Sequence, residues 1–383
     1  MSDRIDNTDL DNFEPVIRIV VIGVGGAGNN AVNRMIDEQI DNVEFYVFNT
    51  DKQALATSKA PNRVVLGTSV TAGIGAGGDP AVGKNAAEQS KEKIRSIVKG
   101  ADLVFIAAGM GGGTGTGAAP VVAQVAREEG ALTVAIVTRP FSFEGKTRIA
   151  NSVSGLNELK NAADSIIIVS NDKLLMTSGN LPISKAFSES DKVLAQSVKT
   201  VVEIILLPGS INCDFSDVKK TLKGSGIALI GFGEGHGPHK AEEAVENAIN
   251  SPLLEASISG ARKAICTVTC GMDVSLYEGQ ECVNRVKEQA GTNVDIKFGL
   301  TINPQLADGI LVSVIASDFT EEFDFTSTPT FQTPLNRSQV GNGVDAVKKD
   351  NFEQSLLEER ESGEEDASEI GDSILPDFLK NGI

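Results

Sequence analysis

Residues 111 to 117 read GGGTGTG, five glycines in seven positions. Glycine gives up more backbone freedom on folding than any other residue, so such a run belongs where something must approach the main chain closely. Bare backbone amides suit an anion. A second run, GVGGAGNN at 23 to 30, sets Gly23, Gly25 and Gly28 in the G-x-G-x-x-G spacing directly after an apolar stretch. Alone, that spacing supports a dinucleotide site with its pyrophosphate at a helix N-terminus. Two glycine nests, each ending a strand and opening a helix, converge on one polyphosphate and favour a nucleoside di- or triphosphate over a nicotinamide dinucleotide. The small hydroxyls of Thr114 and Thr116 add donors while leaving room for the backbone to approach.

Gly145, Lys146 and Thr147 form G-K-T, but the position five before Gly145 is Pro140, where a Walker A motif needs glycine. A third glycine-rich stretch, TAGIGAGGDPAVGKNA at 71 to 86, reads as a flap over the terminal phosphate or as a plain flexible loop. Asp191 lies on the apolar stripe of a predicted helix, four residues after Phe187 and three before Leu194. A carboxylate on a buried face needs donors, and guanine offers a matched pair, N1–H and N2–H, that adenine lacks. The bland alternative is a helix-surface acid or one salt-bridged within the core. His236 and His239, in the glycine-rich turn GEGHGPHK, read as solvated side chains, since a closed metal site needs more ligands than two.

The elements that carry these residues follow from hydrophobic patterning. IRIVVIGV, VEFYVFNTD, DLVFIAAG, LTVAIVTRPF and SIIIVSND are short apolar runs without alternation, as expected of strands buried on both faces. Helix-length segments such as NNAVNRMIDEQ join them, which predicts a parallel sheet covered on both sides. From Ile183 to Leu207 the period becomes helical, with Phe187, Leu194, Val198, Val201, Val202 and Ile205 on one stripe, until Pro208 and Gly209 stop it. A smaller unit follows, with strands at GIALIGFG, KAICTVTC, VDIKFGL and GILVSVIAS and helices at KAEEAVENAI and ECVNRVKEQA. Its order predicts an α+β domain with a mixed sheet.

After Phe319 the pattern dissolves, and from Asn336 onward twelve acidic residues face five basic ones. Such a segment cannot bury enough apolar surface to order itself. It ends in ILPDFLKNGI, where Ile374, Leu375, Phe378 and Leu379 form a small apolar cluster suited to docking in a partner's groove, or simply a stray apolar end. The net charge of −18 disfavours nucleic acid and anionic lipid as partners. No signal core opens the chain and no apolar run is long enough for a membrane helix, so a cytoplasmic protein without direct membrane insertion is expected. Cys213, Cys266, Cys270 and Cys282 lack zinc-site spacing, and CTVTC puts Cys266 and Cys270 on one strand face, as core residues.

GGGTGTG, GVGGAGNN, NTD at 49 to 51, PFSFEGKTR at 140 to 148 and NDKL at 171 to 174 together closely resemble FtsZ, the bacterial tubulin-like GTPase family that polymerises at the division site. The resemblance runs from about Ile17 to Phe319. It implies an α/β fold: a Rossmann-like GTP-binding domain (16–182), a central helix (183–208) and a smaller α+β domain (209–320). These lie between a flexible segment (1–15) and a disordered acidic linker (321–372) with a partner-binding peptide (373–383).

By the same resemblance, Gly25, Gly26, Ala27, Gly28, Asn29 and Asn30 form the first phosphate turn. Gly111, Gly112, Gly113, Thr114, Gly115, Thr116 and Gly117 form the second. Glu144 and Arg148 stand near ribose and phosphate, and Asn171, Phe187 and Asp191 surround guanine. Asn212, Asp214 and Asp217, in GSINCDFSDV, resemble the catalytic loop that completes the active site of the next subunit. Acidic groups there orient the attacking water, with Mg²⁺ held mainly by nucleotide phosphates and water. A helix cap after a Pro-Gly turn is the structural alternative for the same residues.

The implied protein binds GTP and GDP, assembles head to tail and reaches the division site through a membrane-anchoring adaptor bound by its terminal peptide. Cys213 stands where the family usually carries an aliphatic residue, leaving a thiol near the subunit contact. The competing readings are an NAD-dependent oxidoreductase built on the first glycine loop and a nucleotide-binding structural homologue with little turnover.

Overall fold

The computed structural model describes residues 17–319 apart from 178–182, 207–208, 252, 253, 255 and 292. The expected segment 1–15, the acidic linker and the peptide bearing Ile374, Leu375, Phe378 and Leu379 lie outside the described residues.

The first half runs β1 (Ile19–Val24), α1 (Gly25–Asp37), β2 (Glu44–Asn49), α2 (Lys52–Ala56), β3 (Asn62–Val65), α3 (Thr68–Thr71) and α4 (Pro80–Gln89). It continues through α5 (Lys91–Val98), β4 (Leu103–Gly109), α6 (Thr114–Glu128), β5 (Leu132–Arg139), α7 (Lys146–Ala162), β6 (Ser165–Ser170) and α8 (Asn171–Thr177). The long α9 (Ile183–Leu206) leads to α10 (Phe215–Leu222), β7 (Gly226–Gly235), α11 (Lys240–Ile249), β8 (Ala261–Cys270), α12 (Leu276–Ala290), β9 (Asp295–Ile302) and β10 (Ile310–Phe319).

Every residue of β1, β5 and β6 is buried, which is why these strands lack polar alternation. Alternate residues of β1 enter different cores: Ile19 and Val21 pack with α1 and α9, whereas Val20, Ile22 and Val24 pack with α6. On α9 the stripe of Leu194, Val198 and Val201 is fully buried, each side chain contributing about 1.5–3 kcal/mol of transfer free energy. Phe187 departs from the expected stripe: it is 42% exposed, and its ring meets Phe141 edge-on.

The strand order is β3-β2-β1-β4-β5-β6-β7-β10-β8-β9. From β3 to β7 all pairs are parallel, and the chain winds outward from β1 before returning to β4 on β1's other side. Such a reversal opens a crevice at the carboxyl ends of the two central strands, where ligands bind in doubly wound sheets. Register pairs Val24 with Ala108, so both strands deliver their glycine loops to this crevice at one level.

The second half is mixed, as expected: β10 runs antiparallel to β7 and β8, and β9 parallel to β8. The smaller sheet is nevertheless continuous with the first. Ser165, Ile166 and Ile167 of β6 pair with Gly226, Ile227 and Ala228 of β7, forming one ten-stranded sheet among the described residues. The stretch 71–86 also differs from a continuous loop, since its residues from Pro80 onward begin α4. Asp79 caps that helix by accepting from Ala81 N at 2.8 Å, and Pro80 occupies the first helical position, where its missing N–H costs nothing.

Candidate functional site

At the crevice two helices begin in mutual contact. A Cβ on Gly25 would stand 2.8 Å from Gly115 N, so the first turns of α1 and α6 approach as only glycine permits. Gly25 also has φ +74°, a left-handed conformation that glycine adopts without a side-chain clash. Neither helix has a side-chain cap or an acidic residue in its first turn, whereas α2 and α4 are capped by Asp51 and Asp79. Free amides and two aligned helix dipoles therefore face the crevice, the arrangement that holds a polyphosphate. Gly26 and Ala27 are exposed there, and Gly26 has open space around it.

Several neighbours shape these loops from behind. Asn29 is 3% exposed, and its surroundings orient the amide so that Nδ2 donates to the carbonyls of Gly23 (3.1 Å) and Gly25 (2.9 Å). Its oxygen then accepts from Asn49 Nδ2 at 3.2 Å, which commits this side chain to the turn and leaves the exposed Asn30 to face outward. Thr116 is buried, and its hydroxyl accepts from Gly111 N at 2.8 Å, so it supports the second loop from within; an added phosphate donor was the sequence expectation. The Thr114 hydroxyl is paired with that of Thr50, the two Oγ1 atoms lying 2.7 Å apart.

Residues 72–79 lie against the second loop. A Cβ on Gly113 would meet Ala76 Cβ and Asp79 N, each at 2.9 Å. The stretch is tied to the end of β2 by Lys52 N donating to Gly73 O and Gly75 N donating to Thr50 O. Its glycines at 77 and 78 have positive φ and open surroundings. On the opposite side, a Cβ on Gly111 would stand 2.8 Å from Arg148 O. The Arg148 guanidinium pairs with Glu144, whose other oxygen accepts from Phe141 N at 2.9 Å. Glu144 is thus engaged in holding the 141–145 turn, while Arg148 remains largely exposed.

The base-recognition candidates converge at the start of α8 and α9. Asp172 Oδ1 accepts from Ser142 N at 2.9 Å, and this joins α8 to the 141–145 turn. Phe141 stacks on Phe143 with centroids 4.9 Å apart and meets Phe187 edge-on at 5.0 Å. Asn171 is buried, with its Oδ1 accepting from Ser190 Oγ at 2.8 Å. Asp191, one residue further on, makes no hydrogen bond or ion pair among the described residues. Burial pushes its carboxyl up to about 7, against the opposing pull of Arg34 on α1, itself bonded to Glu38 at 2.7 Å. A half-buried carboxylate without a donor is costly unless a ligand supplies one.

Asn212, Asp214 and Asp217 lie elsewhere. Asp214 caps α10 through Asp217 N at 2.9 Å, and Asp217 Oδ2 faces Asp214 N at 3.5 Å, a reciprocal capping box. Asn212 Oδ1 accepts from Gly209 N, and Ile211 exchanges backbone bonds with Leu300 of β9. The loop is therefore firmly held, with Asn212 and Asp214 exposed. Cys213 points inward, 6% exposed, and burial, reinforced by Asp217 and Asp214, pushes its thiol up to about 11. The other three cysteines are also buried. Between Asp191 and this loop runs the remainder of α9 to Leu206, about 22 Å at the helical rise per residue.

Residues 18–179 match the model of the Tubulin/FtsZ family, GTPase domain, and residues 226–320 that of the FtsZ family, C-terminal domain. Among solved structures, an empty FtsZ dimer from M. jannaschii is 40% identical, covering 83% of this chain and 92% of its own, with TM-score 0.77. GDP-bound monomeric CetZ1 from Haloferax volcanii is 22% identical over 80% of this chain and 95% of its own, with TM-score 0.70. A GTPγS-bound protofilament of CetZ2 from the same organism is 22% identical over 78% and 92%, with TM-score 0.66.

Proposed function

Because the chain belongs to the tubulin/FtsZ family of GTPases, we propose that it is a filament-forming GTPase of cell division whose active site is completed only between subunits. The observation that carries this reading is the separation along α9. The glycine loops open α1 and α6 at the strand ends, Asp191 lies on the third turn of α9, and Asn212, Asp214 and Asp217 follow the end of that helix, about 22 Å of helical rise beyond Asp191. One chain cannot close that distance, whereas a second copy stacked head to tail brings its 209–217 loop to the first copy's nucleotide. A heterologous contact of this kind repeats without closing and generates a filament.

In this account the amides opening α1 and α6 hold the phosphates, Arg148 adds charge beside them, and Asn171 and Asp191 read the base against Phe187. The 209–217 loop of the incoming subunit orients the attacking water through Asp214 and Asp217 and fixes the γ-phosphate geometry through Asn212. The first turns of α1 and α6 bring no acidic residue to the phosphates, which fits a divalent cation held through phosphate oxygens and water. Mg²⁺ would there neutralise developing charge. GDP left after hydrolysis weakens the contact, so assembly and turnover are coupled.

The division into residues 16–182, 183–208 and 209–320 belongs to the same reading, as does the acidic linker to residue 372. The terminal peptide then binds a membrane-anchoring adaptor at the cytoplasmic division site. No helix of the described residues is long and apolar enough to cross a membrane. The test is phosphate release from GTP per protein molecule across protein concentrations, with sedimentation in parallel. A specific rate near zero below a threshold and rising with pelletable polymer supports the reading; a constant specific rate contradicts it.

A further inference from the structure

We infer that Ser190 is a positioning residue for purine selection, its hydroxyl locking the Asn171 amide so that Nδ2 donates toward the 6-position of the base. The inference rests on the guanine reading above and adds to it the element that sets donor against acceptor at that position.

Ser190 and Asn171 are each 5% exposed, and their 2.8 Å hydrogen bond joins α9 to the first residue of α8. Serine inside a helix ordinarily returns its hydroxyl to the carbonyl four residues earlier, as Ser197 does here to Val193 O at 2.8 Å. Ser190 instead reaches across to another element. Asn171 Oδ1 is the sole acceptor of its hydroxyl among the described residues. A buried hydroxyl whose proton finds no acceptor is destabilising, so the bond selects one of the two amide orientations. In the selected orientation Oδ1 is occupied and the Nδ2 hydrogens are presented to the pocket. The next residue, Asp191, presents only acceptor oxygens once ionised. A donor beside a pair of acceptors complements guanine, with its O6, N1–H and N2–H. Adenine offers an amino group in place of O6 and lacks both N1–H and N2–H.

A side-chain bond of the neighbouring residue makes the lock effective. Asp172, adjacent to Asn171, is held by Ser142 N at 2.9 Å, so the amide pivots from a fixed base. Removing the hydroxyl, as Ser190→Ala does, leaves Asn171 in place and frees its amide to present either face.

The experiment measures nucleotide affinity of the full chain and of Ser190→Ala, Ser190→Thr, Asn171→Ala and the double variant. The probes are GTP, ATP, 6-thio-GTP, which weakens the acceptor at the 6-position, and ITP, which lacks the 2-amino group. Ser190→Ala is expected to lose about tenfold in GTP affinity, the scale of one net hydrogen bond. Its preference for GTP over 6-thio-GTP should collapse while its preference for GTP over ITP, set by Asp191, stays. Ser190→Thr, which keeps the hydroxyl, should restore both, and Ser190→Ala should add nothing to Asn171→Ala. An unchanged 6-thio-GTP ratio in Ser190→Ala, or an equal fall of both ratios together with the melting temperature, overturns the positioning role. A parent chain that fails to prefer GTP to ATP overturns the guanine reading itself.

Discussion

Replacing Asp191 by asparagine should stabilise the nucleotide-free protein at neutral and alkaline pH while weakening its hold on GTP. The carboxyl is raised from 3.8 to about 7 by burial, a shift of about three units, equivalent to about 4 kcal/mol at 1.36 kcal/mol per unit. Partial access of water reduces this to about 2–4 kcal/mol. Because the folded value lies above the unfolded one, this side chain's contribution is fully present below about pH 4 and is lost as pH rises through 7. At pH 8 the variant should therefore melt several degrees higher than the parent, and at pH 4 the difference should vanish.

Binding has the opposite sign. Two charge-assisted hydrogen bonds to guanine are lost or replaced by a clash between amino groups, costing about 2–4 kcal/mol, or roughly 30- to 700-fold in affinity. Xanthosine triphosphate, which carries a carbonyl where guanine has its 2-amino group, should become the preferred ligand. Relative to the variant, the parent's GTP affinity should fall by up to about tenfold per unit below pH 7, because the proton must leave before both acceptors serve. Calorimetric unfolding of nucleotide-free protein and nucleotide titration at pH 6 and 8 read all of these effects. A variant less stable at pH 8, or one that still prefers GTP to the xanthine nucleotide, would refute the assignment of Asp191 to the base.

Asp214→Ala should remove the reciprocal cap of α10, costing about 0.5–2 kcal/mol by thermal unfolding. It should leave GTP affinity unchanged and lower turnover in polymer by about two orders of magnitude or more, read by phosphate release. Gly28→Ala places a Cβ 2.2 Å from Ala107 O, which forces α1 off β4 and costs about 1–3 kcal/mol or more. Its melting temperature and GTP affinity should fall together. Deleting residues 374–383 should spare GTP-dependent sedimentation and abolish recruitment to adaptor-bearing vesicles; loss of sedimentation would contradict a purely tethering role.

The central strands are readable from sequence because burial on both faces removes polar residues, as in β1 and β6. The edge strand β3 escapes that rule: its four residues include only one buried side chain, Val64. The junction of β6 with β7 also escapes, since pairing between distant strands leaves no local pattern. The start of α4 does leave one, the Asp79-Pro80 cap and first-turn proline within an otherwise loop-like glycine run. Glycine runs and the helical offset of Asp191 announce the phosphate and base sites because each breaks a local rule. Ser190 and Thr116 break none. Their roles come from partners in other turns of the chain, Asn171 and Gly111, which spacing alone does not reveal.

The most direct test of an active site shared between subunits mixes two crippled chains. Asp191→Ala keeps an intact 209–217 loop but holds GTP poorly, while Asp214→Ala binds GTP but presents a defective loop. Each alone should release little phosphate. Mixed at equal concentration under assembly conditions, they should recover a substantial part of the parent's turnover, because the loop of the first serves the nucleotide held by the second. Copolymers that form, as shown by sedimentation of both chains, yet hydrolyse no faster than the separate variants would contradict the account.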